Sequence, residues 1–421
     1  MSNLGYRALR MHVIACLAAA SMLPACAEER PGIPAPEHSL QFPVGIAVHP
    51  AGYALVTCSN FDLRYERASL RVIDLAGIQA SDLSQPDPDD PYLERFILDE
   101  VSVGLDNFGA AVVLSSDGTQ AAVSVRETNQ IILLDVDAGP DSIELNCWTS
   151  ERRPDEPFPM CDGARYVMEL EADDPFDIQL VDHEDGSRSA YVTFLRGTAV
   201  EVWDVPVDEE GLPGLKYELD TEVLGTNDIA ISPTTGMAFV TSRFPDLQTN
   251  PIFYFDTQLG SDAEVHEVNL FQDLLGNETR GAEFAADGLT LALLIRDPDM
   301  LIFMDTQPGD DGRPSQRFLG EVVVGNQPSL LRRKGEIFFV TCAQDDAIYA
   351  IDGVKHRLIS AREDICKGPY DIAFWDHDDV QWGLVTCFEE DTLAIVDVDP
   401  SSAGFLDVVA RVGEPVDRSL E

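Results

Sequence analysis

The sequence predicts an all-β protein: a single domain folded as a seven-bladed β-propeller of four-stranded antiparallel blades. Three observations indicate this fold. A pair of short apolar segments recurs seven times along the 421 residues, the interval within the pair is nearly constant, and one further strand-like segment flanks each pair on either side. Four strands repeated in this way are the signature of a propeller. No segment has a long apolar pattern with a 3.6-residue period, so few helices are expected.

The repeated pair consists of a segment ending near Val-Thr and a segment ending in an apolar residue and Asp. In chain order the pairs are LVTCS with VIDL, VSVRE with LLDV, YVTFL with VWDV, FVTSR with YFDT, LLIRD with FMDT, FVTCA with AIDG, and LVTCF with IVDV. The aspartates that end the second segments are Asp74, Asp135, Asp204, Asp256, Asp305, Asp352 and Asp397. We interpret them as structural residues that accept hydrogen bonds from the following turn.

The spacing within the pairs supports tight strand connections. The interval from the threonine position to the aspartate is 11 residues in five copies, and it is 17 and 15 residues from Thr57 and Thr241. A constant interval predicts two short strands with a tight turn, and the two longer intervals predict longer loops. The predicted blades span approximately residues 42–104, 105–172, 173–225, 226–272, 278–325, 326–366 and 367–413.

The repeat resembles that of the YVTN-type propellers, which share their fold with the lactonase-like propellers. Tyr191-Val192-Thr193 matches the family motif, and VVVGNQPSL (Val322–Leu330) and ARVGEPVD (Ala410–Asp417) resemble its junctions between blades. The resemblance covers residues 42–413 and implies the fold far more than an activity. The family has Asn after Val-Thr, and this chain has other residues there, so no function of that Asn is carried over.

The N-terminus predicts export. Two arginines precede the apolar run Val13–Leu23, which is too short to span a bilayer and is typical of a signal peptide, here residues 1–25. Leu23-Pro24-Ala25-Cys26 resembles a bacterial lipobox, so Cys26 is predicted to be lipidated. The alternative is an ordinary secretory signal with a chance cysteine.

The lipid anchor predicts a location in the bacterial cell envelope. Residues 26–39 would comprise the lipidated cysteine and a Pro-rich tether, and residues 414–421 a C-terminal tail. Ala27 stands where the bacterial sorting rule places Asp in lipoproteins kept at the inner membrane. We therefore expect the outer membrane.

The charge balance excludes one class of partner. The chain has 28 basic and 75 acidic residues and a formal net charge of -47. Such a surface repels the phosphate backbone, so nucleic acid is not an expected partner. We expect a monomer with a protein partner in the envelope.

The cysteines predict disulfides. Besides Cys16 and Cys26 the chain contains six, an even number in an exported protein: Cys58, Cys147, Cys161, Cys342, Cys366 and Cys387. Cys147 and Cys161 share one loop and are expected to pair. Cys366 is expected to pair with Cys342 or Cys387. A disulfide from Cys58 to a blade 7 cysteine could hold the ring closed. The cysteines and seven histidines are too scattered to predict a metal site, and no cofactor is expected.

The candidate ligand-binding residues lie on one face. Connections from the second to the third strand of a blade, and from each blade to the next, share a face that we call the top face; the opposite one is the bottom face. Four arginines are predicted around the top-face mouth of the channel: Arg126, Arg196, Arg243 and Arg296. Three aspartates begin innermost strands beside it: Asp177, Asp228 and Asp371. The arginines could bind an anion, pair with the aspartates as a structural network, or leave the aspartates to a metal.

Two functions follow from these patterns. No catalytic residue is assigned, since Gly-x-Ser-x-Gly is absent from the sequence. The first hypothesis is therefore a lipid-anchored, non-catalytic binding or scaffold module. The alternative is a lactonase-like hydrolase, or a propeller that binds an anionic ligand in the top-face funnel.

Overall fold

The computed structural model describes residues 32–83, 87–149, 158–208, 211–243, 251–269 and 277–416. The predicted signal peptide (1–25), the predicted lipidation site Cys26 and the end of the C-terminal tail (417–421) lie outside the described residues. Within the described part, no helix is long and apolar enough to cross a membrane.

Seven antiparallel sheets form a closed ring, which confirms the predicted fold class. The inner strands of successive blades pack side by side, and the last of them packs against the first. Blade 1 contains β1 (Pro43–His49), β2 (Tyr53–Cys58), β3 (Ala68–Asp74) and β4 (Val103–Leu105). Blade 2 contains β5 (Gly109–Leu114), β6 (Gln120–Val125), β7 (Gln130–Ala138), β8 (Ile143–Asn146) and β9 (Val167–Glu169). Both β8 and β9 pair with β7, so the outer strand of blade 2 is in two pieces.

The other five blades each have four strands in sequence order. Blade 3 contains β10 (Pro175–Asp182), β11 (Arg188–Phe194), β12 (Ala199–Val205) and β13 (Gly214–Asp220). Blade 4 contains β14 (Thr226–Ile231), β15 (Met237–Ser242), β16 (Pro251–Asp256) and β17 (His266–Asn269). Blade 5 contains β18 (Asn277–Phe284), β19 (Thr290–Asp297), β20 (Asp299–Asp305) and β21 (Arg317–Val323). Blade 6 contains β22 (Pro328–Lys334), β23 (Ile337–Cys342), β24 (Ala347–Asp352) and β25 (Arg357–Arg362). Blade 7 contains β26 (Pro369–His377), β27 (Val380–Cys387), β28 (Thr392–Asp397) and β29 (Val408–Val412).

Helical structure is short in the described residues. One α-helix, α1 (Leu75–Ala80), and two 3-10 helices (Glu94–Phe96 and Thr257–Asp262) follow third strands. Asp74 caps α1, because its side chain accepts a hydrogen bond from the backbone N–H of Gly77. Asp256 accepts from Gln258 N–H in the same way. These two contacts agree with the role expected for the repeated aspartates.

The Val-Thr hydroxyls link neighbouring blades. Each of the seven inner strands has an irregular register near its start, and the second strand beside it carries the threonine position. In blade 7, Thr386 Oγ1 accepts a hydrogen bond from Asp371 N–H (2.9 Å) and donates one to the carbonyl of Val44 in blade 1 (2.9 Å). Three other side chains link a blade to the next in the same manner: Ser124, Thr193 and Thr341.

The ring closes without a strand exchanged between the termini. Blade 7 takes all four strands from the C-terminal end and blade 1 takes all four from the N-terminal end, as expected from the sequence. Phe42 N–H donates to Asp391 Oδ1 (2.8 Å), and Leu40, Ile46 and Leu384 belong to an apolar cluster shared by the two blades. Burial of this cluster and the backbone contacts therefore hold the junction.

Residues 32–39 contact blade 1 instead of forming a free tether. Arg71 is fully buried in β3, where its guanidinium donates to Asp99 Oδ1 (2.6 Å) and to the carbonyl of Pro36 (3.1 Å). The backbone N–H of His38 donates to Asp99 Oδ2 (2.7 Å). A buried guanidinium requires such partners, and it obtains part of them from the N-terminal segment.

Two disulfides are present among the described residues. Cys147–Cys161 confirms the expected pair, and Cys366 pairs with Cys387. The expectation that Cys58 and Cys342 form disulfides is wrong, because both are free and buried in different apolar clusters, between blades 7 and 1 and between blades 5 and 6. The disulfide that could have joined Cys58 to blade 7 is therefore absent, and both thiols pack as small apolar side chains.

The two free thiols are expected to be unreactive in the folded protein. Burial raises the pKa of Cys58 to about 11 and that of Cys342 to about 12, so neither is ionised at neutral pH. Iodoacetamide should modify neither residue in the native mature protein and both after unfolding without reductant. Peptide mapping that found Cys58 in a disulfide would contradict this assignment.

Replacement of Thr386 by Val should weaken the closing junction. The variant keeps the shape of the side chain but leaves the Asp371 N–H and the Val44 carbonyl without this partner. We expect a loss of about 2 kcal/mol in the free energy of unfolding, measured by urea denaturation. Thr198→Val, at an exposed site, is the control and should leave the stability within about 0.5 kcal/mol of the wild type. Equal stability of the two variants would contradict the role of the hydroxyl.

Candidate functional site

A repeated backbone turn sets the residues around the top-face mouth. In six blades the residue just before the inner strand has a positive φ, and its carbonyl accepts a hydrogen bond from the backbone N–H two residues beyond the threonine position. The six acceptors are Phe42, Phe108, Asp174, Gly225, Gln327 and Gly368. This contact fixes the backbone of Arg126 and of Arg243 at the mouth, because both residues are donors in it.

Three arginines of blades 4 and 5 converge on one carboxylate. Arg243 Nε, Arg280 Nε and Arg296 Nη1 lie 3.8, 3.5 and 3.6 Å from the carboxylate oxygens of Glu278. The Arg280 side chain is only 7% exposed, and its Nε has no hydrogen-bond partner. Burial, together with repulsion from Arg243 and Arg296, lowers the pKa of Arg280 to about 10, although the Glu278 carboxylate opposes the shift. Three guanidinium groups thus lie within 4 Å of the same carboxylate.

The sequence predicted two members of this cluster and missed two. Arg243 and Arg296 each lie two residues beyond the threonine position of their blades and were identified from that spacing. Arg280 and Glu278 lie at the start of β18, where the repeat is least regular in sequence. Gly281 occupies the position that holds Asp in blades 3, 4 and 7, and the Arg-Gly step that it forms with Arg280 is the signal that could have identified this arginine.

Arg126 and Arg196 form a separate pair of contacts in blades 2 and 3. Arg126 Nε lies 2.5 Å from Asp174 Oδ1, and the 76% exposed Arg196 lies 3.8 Å from Asp174 Oδ2. Arg126 is therefore occupied by a short ion pair. Asp174 was not identified from the sequence. It lies at the mouth because it is the positive-φ residue just before β10.

The three predicted channel aspartates do not pair with the predicted arginines. Asp177, Asp228 and Asp371 occupy the irregular position of their inner strands, one layer below the mouth. Arg332 in β22 reaches this layer, and its Nε lies 3.0 Å from Asp371 Oδ1. The expected network with the four mouth arginines is thus replaced by one around Arg332, since the four arginines contact Asp174 and Glu278 instead.

Backbone N–H groups account for most of the aspartate oxygens. Asp228 Oδ2 accepts from Ala282 N–H of the next blade (2.8 Å), and Asp177 Oδ2 accepts from Ile229 N–H (3.3 Å). Burial raises the pKa of Asp177 well above its usual range, and the neighbouring Asp228 carboxyl, to which it is hydrogen-bonded, raises it further. A carboxyl that keeps its proton and is bonded in this way is a structural link between blades.

The lower half of the channel is a cavity of about 520 Å³ lined by the inner strands of all seven blades. Glu283 of β18 projects into it with 30% of its side chain exposed, 3.8 Å from Arg333 Nε. Burial raises the pKa of Glu283 to about 7, although Arg332 and Arg333 oppose the shift. Protein surrounds this carboxylate on all sides within the channel, which explains a large shift at a side chain that channel water can still reach.

In the described residues, two clusters of metal-ligating side chains have a suitable geometry, but neither supports a metal site. Cys366 and Cys387 lie near Glu390, but their sulfurs are joined in a disulfide. Glu37 and His38 lie near Asp99, whose oxygens already accept from Arg71 and from the backbone of His38. These groups have structural partners.

The fold is similar to several solved propellers at low sequence identity. The periplasmic gluconolactonase PpgL of Pseudomonas aeruginosa shares 15% identity at a TM-score of 0.57, over 83% of this chain and 93% of that one. Kuenenia stuttgartiensis hydrazine synthase shares 13% at a TM-score of 0.51, over 74% and 83%. A protein of unknown function from Desulfotomaculum acetoxidans DSM 771 shares 11% at 0.53, over 89% and 99%. No protein-family model and no curated protein matches the chain. These similarities show the fold alone.

Glu283 should make the stability depend on pH. Its pKa is about 7 in the folded protein against an ordinary value of 4.5, so between these values the unfolded chain loses the proton that the folded protein keeps. Stability falls as the pH rises through this window, and the loss is complete above pH 7. Glu283→Gln should therefore be more stable than wild type by about 1–3 kcal/mol at pH 8 and by almost nothing at pH 4.5.

Urea denaturation across this pH range measures the difference between the two proteins. The exposed Glu336 provides the control, and Glu336→Gln should follow the wild-type curve. A constant difference between wild type and Glu283→Gln at all pH values would show that the carboxylate ionises normally.

Proposed function

We propose that this protein is a lipid-anchored, non-catalytic binding module of the cell envelope that holds an anionic group at the arginine cluster of its top face. The observation that carries the proposal is the convergence of three guanidinium groups, those of Arg243, Arg280 and Arg296, on the Glu278 carboxylate. In a chain with a net charge of -47 such a concentration of cations is exceptional. A carboxylate or phosphate group presented by a partner would accept charge-assisted hydrogen bonds from these guanidinium groups.

The chemistry of the cluster favours binding over catalysis. Burial and mutual repulsion lower the pKa of Arg280 to about 10, so a bound anion would stabilise its charged form. Guanidinium groups remain protonated at neutral pH and serve as donors, not as bases. A Ser–His contact exists elsewhere, between His183 and Ser189, but Ser189 is 2% exposed in β11. The lactonase-like alternative rests on the shared fold alone, and we do not adopt it.

Anion binding is tested by substitutions that are expected to change the affinity for an anion in opposite directions. Arg243→Gln and Arg296→Gln each remove a cation and should weaken binding of the probe, citrate, about tenfold. Glu278→Gln removes the competing carboxylate without changing its shape and should strengthen citrate binding about tenfold. Isothermal titration calorimetry measures both effects, which should decrease as salt is added.

The control for the arginine variants is Arg317→Gln. Arg317 is 71% exposed on β21 and forms its ion pair with Asp305, away from the mouth. Citrate affinity that changes equally in all four variants, or that falls in Glu278→Gln, would exclude the cluster as the anion site. The anchor is tested separately by mass spectrometry of the mature N-terminus, where Cys26 should carry the lipid.

A further inference from the structure

The loop of residues 59–67 exposes apolar side chains on the top face of blade 1. Phe61 is 54% exposed and Leu63 is 52% exposed, and Ile33 of the N-terminal segment beside this loop is 54% exposed. We call these three residues the blade 1 apolar patch. Neighbouring large apolar groups exposed in a strongly acidic chain indicate a surface that is covered in the functional state.

The loop holds Phe61 in a fixed position. Asn60 is 1% exposed, and its side-chain amide donates to the carbonyl of Tyr65 (2.9 Å) and to Asn107 Oδ1 (2.7 Å). One side of the Phe61 ring packs against three other rings, at centroid distances of 6.0, 6.0 and 5.5 Å from Phe42, Phe108 and Phe388. The exposed apolar surface is therefore pre-organised, which reduces the entropy lost when it is covered.

The N-terminal segment enters the propeller at this same loop. Ile33 forms a parallel bridge with Tyr65, and its carbonyl accepts a hydrogen bond from Glu66 N–H (2.9 Å). Cys26 lies only six residues before Gly32 in the sequence. Even a fully extended chain of this length spans no more than about 20 Å. A lipid on Cys26 thus keeps the loop within about 20 Å of its membrane.

The loop is less acidic than most of the molecule, so anionic headgroups repel it less. Asp62 and Glu66 are balanced by Arg64 and Arg67, so residues 59–67 have no net charge, against -47 for the whole chain. Anionic headgroups repel the acidic surface and leave a neutral, apolar loop as the part that approaches most easily.

We propose that the blade 1 apolar patch contacts the lipid bilayer that carries the anchor. This inference rests on the lipid anchor of the proposed function and adds the orientation of the propeller to it. Phe61, Leu63 and Ile33 enter the interfacial region, and the top face of blade 1 lies against the membrane. The anchor supplies the affinity, and the patch fixes which side of the disc faces the bilayer.

The test measures the depth of a single fluorophore in the lipidated full-length protein. An NBD label is attached to Asp62→Cys in the exposed loop or, as control, to Glu184→Cys in an exposed bottom-face turn. The buried Cys58 and Cys342 do not compete for the label. In phosphatidylethanolamine/phosphatidylglycerol vesicles containing a headgroup spin-labelled lipid, we expect quenching at position 62 to exceed that at position 184 at least threefold.

A second comparison separates the patch from the tether. Phe61→Ser/Leu63→Ser should reduce the quenching at position 62 at least twofold, whereas Phe318→Ser/Val323→Ser, which changes residues 55% and 70% exposed on β21, should not change it. Equal quenching at both label positions, or quenching unaffected by Phe61→Ser/Leu63→Ser, would overturn the inference. An N-terminus without lipid in the mass spectrum would overturn the anchor and, with it, the orientation.

Discussion

The hydroxyl of the Val-Thr repeat is the contact on which the ring depends. The second strand of a blade places this hydroxyl beside the irregular start of the inner strand, where one backbone N–H has no partner in the sheet ladder. In four blades the hydroxyl accepts from that N–H and donates to a carbonyl of the next blade. One side chain thereby satisfies two buried backbone groups and fixes the distance between adjacent sheets. Thr386 performs this role between the last blade and the first. The contact that closes the ring is therefore the same as the one that links three other pairs of successive blades.

Where the hydroxyl is absent, charged side chains replace it. Blade 5 has Leu294 at the threonine position, and the neighbouring junctions rely on carboxylates and guanidiniums instead. Asp228 bonds to the backbone of blade 5, and Arg333 Nε donates to the carbonyl of Phe284 (2.6 Å). The same region carries the mouth arginines and the channel residue Glu283. The least regular part of the repeat is therefore where ionisable groups with shifted pKa values concentrate, as is common at functional sites.

Blades 1 and 7 meet on one side of the ring, beside the surface that we propose to contact the membrane. The N-terminal segment packs beside β3 through Arg71 and then leads into β1, next to blade 7. Noncovalent closure suffices because Leu40 and the strands on both sides bury a continuous apolar cluster. Cys58 lies inside this cluster, so the apolar environment that closes the ring also keeps its thiol protonated. The arrangement places ring closure, the segment of residues 32–39 and the exposed loop of blade 1 in one part of the structure.

The sequence alone determined the fold class and the number of blades, because a seven-fold repeat with a nearly constant interval allows few other folds. It also placed Arg126, Arg243 and Arg296 near the mouth, since their spacing from the threonine position is fixed. Only the tertiary structure decided which charges meet. Ion pairs across the channel join residues of different blades, and their distances follow from side-chain reach, which the repeat does not encode. For that reason Arg332, Glu278 and Arg280 were not identified, and for the same reason the sequence could not choose the partner of Cys366.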